Sequence, residues 1–281
     1  MKWLVADSLY CPEQFFASHL DSYSHYLREA GEEADSYCLN FPIGLGISDA
    51  YRLAKYDVLF ALDQYDRCAK WPLKSKRVAQ VAAICNPMPW DVRRPDGSPA
   101  YDLVLSSIPS LVEQGRAAGA RCEYMPLAFD TRARACGMGA KRDLDCIFIG
   151  TVGPDHKRRG ELLRELADIV TVLPPVFGRE YFRTLARAKV LFCPHAEWAR
   201  GAANAMKIFE GGGMACQVIA DGEWPPAPSF PIFSRFETAE QARYWIQGHV
   251  RHYNGGAGAA IREHHTYECR VPDLISLVRS L

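Results

Sequence analysis

The sequence lacks the features that identify several classes of protein. It contains no run of about 18 uncharged apolar residues, so no membrane-spanning helix is predicted. Its 10 cysteines include no Cys-x-x-Cys pair, which argues against a zinc ribbon or a thioredoxin-like redox site. Its 33 basic and 33 acidic residues cancel, which argues against attraction of the whole molecule to nucleic acid or to an anionic membrane.

The cysteines and the first residues predict a compartment. Several cysteines stand inside apolar runs, such as Ile84-Cys85 and Phe192-Cys193, and are expected to be small buried side chains in a reducing environment. The apolar run at residues 3–6 is too short for a secretory signal. We therefore expect a cytoplasmic protein.

Short apolar segments alternate with amphipathic helical segments along the chain. Strands that are apolar on both faces, alternating with helices, indicate parallel sheets covered by helices. We predict an α/β protein with two Rossmann-like domains whose parallel sheets face each other across a cleft. The predicted domains are residues 1–130 and 144–281, joined by a Gly- and Arg-containing linker at 131–143. The last helix is a candidate to pack back on the first domain.

The stretch from residue 193 to residue 221 is the richest in chemically useful side chains. A predicted strand ends at Cys193, and the helix after it begins with free backbone N–H groups that suit a diphosphate. Asn204, Lys207 and Glu210 are three residues apart and can share one helix face. A cation and a carboxylate suit the phosphate and ribose of a sugar nucleotide, whereas a solvated helix face is the plainer interpretation of the spacing.

Three segments resemble a known family. The first, at residues 147–163, reads IFIGTVGPDHKRRGELL. The second, at 204–221, reads NAMKIFEGGGMACQVIAD and is similar to the pattern N-x-x-R-x-F-E-x-x-x-x-G; the third, EHHTYECR at 263–270, is near H-T-Y-x-x-R. In this order they resemble the CgeB-like (spore-maturation) glycosyltransferases, a GT-B group related to the group 1 transferases.

This resemblance implies transfer of a hexose from a nucleoside-diphosphate sugar, with a UDP-sugar as the expected donor and with no metal or other cofactor. It implies that Glu210 binds the donor ribose and that Lys207 stands where the family often has Arg. It also implies that Lys157, with Arg158 or Arg159, meets the diphosphate. A solvated first helical turn is the alternative for these three basic residues.

Two further donor-site candidates follow predicted strand ends, and two positions depart from the family. Gly150 is the glycine directly after the predicted strand of the first matched segment. His195 follows a strand end, where contact with the donor competes with a plain loop role. Cys216 occupies the family's usual glycine position. Ala203 falls where retaining members carry the first carboxylate of a Glu-x7-Glu pair, so no carboxylate is predicted there.

Polar residues at predicted strand ends of the first domain are the candidates for the acceptor side. Asp7 and Asp63 are the best candidates for a base that removes the proton of the acceptor hydroxyl, with structural strand-end caps as the alternative. Ser8, Gln64 and Trp90 are candidates for acceptor binding, and Trp90 could equally belong to a packed loop.

The sequence leaves the acceptor and two other functions open. A glycan, a protein, a small molecule and a modified phage DNA base are all compatible acceptors. With duplex DNA, four basic residues near the linker would follow the phosphates: Arg132, Arg134, Lys141 and Arg142. A non-catalytic nucleotide-sugar-binding GT-B module and a sugar-nucleotide epimerase are the alternatives to a transferase.

Overall fold

The computed structural model describes residues 1–7, 16–38, 55–63, 65–71, 75–81, 87–195, 205–222, 233–255 and 258–281. They form two compact units. The first contains Met1–Pro126 and Tyr267–Leu281, and the second contains Leu127–Thr266. Within the described residues, no helix combines the length and apolar character that crossing a bilayer requires.

The first unit is built on a parallel sheet with the strand order β2-β1-β3-β4-β5-β6. Its strands are β1 (Lys2–Asp7), β2 (Glu33–Cys38), β3 (Val58–Ala61), β4 (Lys76–Val81), β5 (Leu103–Ser106) and β6 (Cys122–Tyr124). Three of its helices are α1 (His19–Glu29), α2 (Tyr65–Ala69) and α3 (Pro109–Ala117).

The apolar strands of this unit are buried on both faces, as their sequences predict. Trp3 of β1 lies opposite Ala34 of β2 and Val58 of β3, and all three are buried. The ring of Tyr23 in α1 packs edge-on against Phe60 of β3, with the ring centres 4.8 Å apart. Because both faces of each central strand are apolar, helices must cover both sides of the sheet.

The second unit repeats this design with five parallel strands in the order β11-β10-β9-β7-β8. The strands are β7 (Leu144–Ile149), β8 (Thr171–Leu173), β9 (Ala188–Cys193), β10 (Gln217–Ala220) and β11 (Phe233–Arg235). The helices are α4 (Lys157–Glu165), α5 (Gly178–Arg187), α6 (Ala205–Gly213), α7 (Ala239–Arg251) and α8 (Ala259–His264).

The core of the second unit is rich in phenylalanine and cysteine. Phe192 of β9 lies opposite Ile219 of β10, and its ring centre is 5.1 Å from that of Phe236. Cys146 of β7 and Cys193 of β9 are also buried, which confirms their expected packing role. The prediction of an α/β protein with two parallel sheets is confirmed.

The last helix, α9 (Tyr267–Arg279), belongs to the first unit although it follows the second in the chain. The Tyr267 hydroxyl lies 3.0 Å from Nδ1 of His19 in α1. Near the other end of α9, Arg279 pairs with the buried Glu32 at 2.8 Å. Polar contacts at both ends therefore attach α9 to the first unit.

The segment expected as a linker contains regular structure. Thr131–Gly137 form a 3-10 helix whose first turn is capped by the side chain of Asp130, which accepts from the backbone N–H of Arg132. A Cβ added at Gly137 would lie 2.5 Å from Cβ of Ala186, so this 3-10 helix packs closely on α5. Within this predicted linker, Gly137 permits close packing, and Arg132 and Arg142 make internal hydrogen bonds.

Candidate functional site

Three neighbouring strands of the second unit end at one edge of the sheet and are followed by the residues of a candidate site. Gly150 follows β7, His195 lies two residues beyond β9, and Asp221 follows β10. Since the strands are parallel and adjacent in the order β10-β9-β7, their carboxyl ends meet at the same edge. This edge is where open α/β sheets bind ligands.

Asp221 is the centre of the first group of contacts. Its side chain accepts a hydrogen bond from the backbone N–H of His195 at 2.6 Å and lies 2.9 Å from Nδ1 of the same histidine. The guanidinium of Arg158, in the first turn of α4, lies 2.5 Å from its other oxygen. The carboxylate thus ties the start of α4 and the loop after β9 to the end of β10.

The pKa of Asp221 reports these contacts. Burial by itself would raise the pKa of this carboxyl group, because the side chain is almost inaccessible to water. The hydrogen bonds from His195 and the contact with Arg158 outweigh burial, so the pKa of Asp221 lies below its ordinary value. Asp221 is therefore a carboxylate that holds two basic side chains in place.

Two further cations flank the ring of Phe148 near the end of β7. The Lys207 ammonium donates to the carbonyl of Ile149 and lies 5.2 Å from the centre of the Phe148 ring. The Arg159 guanidinium lies 5.5 Å from the same ring and donates to the carbonyl of Thr151 at 3.1 Å. Burial lowers the pKa of Lys207, and the nearby charge of Arg159 acts in the same direction.

Glycine is required where these cations meet the strand. Gly150 has a φ of 154°, and a Cβ at this position would lie 3.1 Å from both the Lys207 nitrogen and the Phe148 ring. Backbone and cation therefore approach each other closely only because residue 150 has no side chain. This packing explains the glycine directly after the strand in the first matched segment.

Glu210 lies on α6 with Lys207, as their spacing predicts. Its carboxyl group accepts a hydrogen bond from the hydroxyl of Tyr181 in α5 at 2.9 Å. Burial raises the pKa of Glu210 to about 7, although Tyr181 and Lys207 both act to lower it. The second unit thus presents a carboxyl group and several cations at the same edge of its sheet, which suits a ligand with both hydroxyl and anionic groups.

Two of the donor-site expectations concern residues outside these contacts. Lys157 is exposed at the first turn of α4, next to Arg158. Asn204 lies outside the described residues, directly before α6. Asp221, Tyr181 and Phe148 are not among the residues predicted for the site, because their roles depend on partners from other elements.

The structure brings together only part of the predicted acceptor set. Asp7 ends β1 and Asp63 lies two residues beyond β3, and these strands are neighbours, so both residues lie at the carboxyl edge of the first sheet. Ser8 and Gln64 lie outside the described residues. Trp90 lies elsewhere: a Cβ at Gly115 of α3 would be 2.9 Å from its ring.

Trp90 lines a separate cavity of about 370 Å³ with residues that precede β5 and β6, such as Asp102 and Arg121. This cavity lies at the amino ends of those strands, the edge opposite to Asp7 and Asp63. The chain must return from the end of β4 to the start of β5, and this return carries Trp90 away from the carboxyl edge.

Solved structures with the same fold include glycosyltransferases. AviGT4, a glycosyltransferase involved in avilamycin A biosynthesis, is 13% identical with a TM-score of 0.64, covering 100% of this chain and 98% of that one. An α-glucosyltransferase in complex with UDP and a 13-mer DNA containing an HMU base is 8% identical with a TM-score of 0.64, covering 99% of both chains. Anabaena Alr3699/HepE, in complex with UDP-glucose, is 12% identical with a TM-score of 0.63, covering 100% of both chains.

These likenesses show the fold, which is GT-B, over the whole chain. No family model matches the sequence, and a comparison with curated proteins finds no match. The assignment of the two parallel sheets to this fold is therefore structural, while the narrower CgeB-like resemblance rests on the sequence segments alone.

Proposed function

We propose that this protein is a glycosyltransferase that moves a sugar from a nucleoside-diphosphate sugar to an acceptor hydroxyl. The observation that carries the proposal is that Lys207 and Arg159 flank Phe148 beside the glycine backbone at the carboxyl end of β7, with Glu210 three residues after Lys207 on α6. A nucleoside diphosphate requires cations and backbone N–H groups for its phosphates and a hydroxyl acceptor for its ribose.

Each side chain then has a defined role. Lys207 and Arg159 offset the charge of the diphosphate, which grows as the bond to the sugar breaks. Glu210 accepts a hydrogen bond from a ribose hydroxyl when it is ionised, or donates one when it is protonated. Asp221 does not touch the donor; it positions Arg158 and His195, which are held within 3 Å of its oxygens.

The donor is proposed to be a UDP-sugar, and no metal is assigned to it. The proposal that the donor's nucleotide is uridine diphosphate is supported by two of the solved structures with this fold, which hold UDP or UDP-glucose. The described residues contain no group of three His, Cys, Asp or Glu side chains placed to hold a metal ion. Basic side chains are proposed to stabilise the leaving diphosphate instead.

The acceptor side is proposed to lie on the first unit. Asp7 and Asp63 lie at the carboxyl edge of its sheet and remain the candidates for the catalytic base that removes the proton of the acceptor hydroxyl. One of the solved structures with this fold holds DNA, which keeps a DNA base among the acceptors to be tried beside glycans, proteins and small molecules.

Donor binding is tested by calorimetric titration with UDP, GDP and uridine. We expect UDP to bind and uridine to bind at least tenfold more weakly, because uridine lacks the diphosphate. Glu210→Ala should weaken UDP binding by about tenfold or more, the loss expected for a charge-assisted hydrogen bond. Glu240→Ala, an exposed glutamate in the first turn of α7, is the matched control and should bind UDP normally.

Chemistry is tested by incubating the protein with UDP-glucose and following UDP release and the fate of the sugar. Release of UDP with sugar appearing on an added acceptor, or on water, is the expected result. Conversion of the donor to another UDP-sugar would identify an epimerase, and binding with no turnover would identify a non-catalytic module. Unchanged UDP binding by Glu210→Ala would contradict the assigned donor site.

A further inference from the structure

A cavity lies in the second unit, at the edge of its sheet opposite to the candidate donor site. Its volume is about 640 Å³, and it is lined by residues that precede β7, β9 and β10, including Arg142, Ala186 and Ala215. Since those residues come just before the strands begin, the cavity opens at the amino ends of the strands. The candidate donor site lies at their carboxyl ends, so the two are distinct.

The charged side chains that line this cavity are all basic. Its lining contains Arg134 from the 3-10 helix, Arg142 before β7 and Arg262 from α8, and among its described lining residues there is no carboxylate. Burial lowers the pKa of Arg262, and the charges of Arg134 and Arg142 lower it further. Like charges brought together in a concave site are costly unless an anion binds between them.

The three arginines are held in different ways. Arg142 points inward: its guanidinium donates to the carbonyl of Leu185 at 2.9 Å and also to those of Ala188 and Met214. Arg262 donates to the carbonyl of Gly213 at 3.3 Å. A side chain at Gly258 would collide with the Arg262 guanidinium, so that group is closely confined.

Arg134 is the exposed member of this set. It forms no hydrogen bond or ion pair with the residues that the structure describes. The 3-10 helix that carries it is fixed against α5 by Gly137, so its backbone is already placed at the mouth of the cavity. A confined Arg262 and an adjustable Arg134 can close on an anion from two sides.

We propose that this cavity binds a small molecule carrying a phosphate group, between the guanidinium groups of Arg134 and Arg262. The planar fork of arginine matches the oxygens of a phosphate, and two such forks balance its double charge. The volume falls within the range of about 300–1,000 Å³ that is usual for small-molecule sites. Met138 and Met214 supply apolar lining for the rest of the ligand.

The arrangement favours a compact ligand over a nucleic-acid backbone. A backbone requires a row of cations presented along a surface. Here Arg142 is turned toward backbone carbonyls, and Arg132 is paired with Asp130 at 2.5 Å. Two members of the basic run 132–142 are thus engaged internally, and Arg262, which lines the cavity with Arg134 and Arg142, comes from a distant part of the chain.

The experiment uses calorimetric titration with inorganic pyrophosphate at constant ionic strength. The unaltered protein should bind it at this cavity and also at the carboxyl edge, where the proposed donor site accepts diphosphates. Arg134→Glu should weaken the first class of binding at least tenfold, and Arg262→Gln should do the same. Arg159→Gln should remove only the second class, which separates failure of this proposal from failure of the donor assignment.

A matched control and the stability of the free protein complete the test. Arg251→Gln alters an exposed arginine in the last turn of α7 and should leave both classes of binding unchanged. Arg134→Glu should also raise the melting temperature without ligand, since the new carboxylate takes the place of the anion beside Arg262. A lowered melting temperature in that variant would overturn the proposal.

Three other results would also overturn it. The first is an unchanged first class of pyrophosphate binding in both Arg134→Glu and Arg262→Gln. The second is equal binding of malonate, a phosphate-free dianion, which would make the site a general anion site. The third is duplex DNA that binds with a steep salt dependence and loses its affinity in Arg134→Glu, while pyrophosphate binding stays intact.

Discussion

Asp221 and Glu210 are acids at the same edge of one sheet, and their surroundings drive their pKa values in opposite directions. Burial opposes ionisation of both. Asp221 has two basic side chains within 3 Å, and its pKa falls below the ordinary value. Glu210 has a neutral phenol, Tyr181, as its hydrogen-bonding partner, and its pKa rises to about 7.

The difference separates a structural charge from an adjustable one. A buried carboxylate with cationic partners stays ionised and fastens the elements that carry them. A buried carboxyl group with a neutral partner changes its protonation near neutral pH, so it can accept or donate a hydrogen bond to a ligand. The comparison therefore assigns Asp221 to the scaffold of the site and Glu210 to its ligand-facing part.

The largest expected effect is the loss of Asp221. Asp221→Ala should lower the free energy of unfolding by about 3 kcal/mol at pH 7, because it leaves Arg158 and His195 without their shared acceptor. Urea denaturation measures this change. Asp168→Ala is the control, since Asp168 forms an exposed pair with Arg243 that is screened by solvent and should contribute much less to stability.

If the two variants were equally destabilised, Asp221 would not be the scaffold of the site.

The pH dependence of the free energy of unfolding offers a further check. The pKa of Asp221 in the folded protein lies below its ordinary value, so its contribution to stability is present above pH 3.8 and disappears as the pH falls through the lower, folded value. Asp221→Ala should lack this acid-induced loss.

The second largest effect is a gain in stability, expected on replacing Glu210. The pKa of Glu210 in the folded protein is about 7, against 4.5 when unfolded, so the folded protein holds the extra proton between these values. Stability from this group is complete below pH 4.5 and is lost as the pH rises to about 7. Glu210→Gln should therefore be more stable than the unaltered protein by roughly 2 kcal/mol at pH 8.

The same variant should show almost no advantage at pH 4.5, and denaturant titrations at the two values test this. Glu240→Gln, on the exposed surface of α7, should show no such pH-dependent gain. A Glu210→Gln variant less stable than the unaltered protein at pH 8 would show that the Glu210 carboxylate has a stabilising cationic partner, which would remove the contrast with Asp221.

The smallest effect concerns the hydroxyl of Tyr181. Tyr181→Phe should cost about 1 kcal/mol of stability through the lost hydrogen bond. Because this bond acts to lower the pKa of Glu210, its removal should raise that pKa further, and NMR titration of the carboxyl carbon would detect the rise. Tyr244→Phe is the control, since Tyr244 is 70% exposed. An unchanged Glu210 titration in Tyr181→Phe would mean that the phenol does not set its environment.

Local patterns in the sequence predicted the elements on which the site is built. The apolar runs predicted β7 and β9 because a strand buried on both faces must be apolar throughout. The three-residue spacing of Lys207 and Glu210 predicted their common helix, since residues three apart lie on neighbouring turns. Both features depend on neighbours a few residues away, which the sequence displays directly.

Other features could not be predicted in this way. Asp221 was passed over because its partners, Arg158 and His195, come from α4 and from the loop after β9. Trp90 was expected among acceptor residues, and the structure places it at the other edge of its sheet, beside α3. Which edge a loop residue reaches depends on the path of the chain between strands, which composition does not encode.

The sequence by itself determined the class of fold, central strands such as β7 and β9, and the helix that carries Lys207 and Glu210, because each follows from the pattern of residues within one segment. Only the tertiary structure decided the partners of each charge: two basic side chains for Asp221, a phenol for Glu210, and other arginines for Arg262. The physical reason is that the pKa and the role of a buried charge depend on desolvation and on groups within a few ångströms, and these groups come from distant parts of the chain.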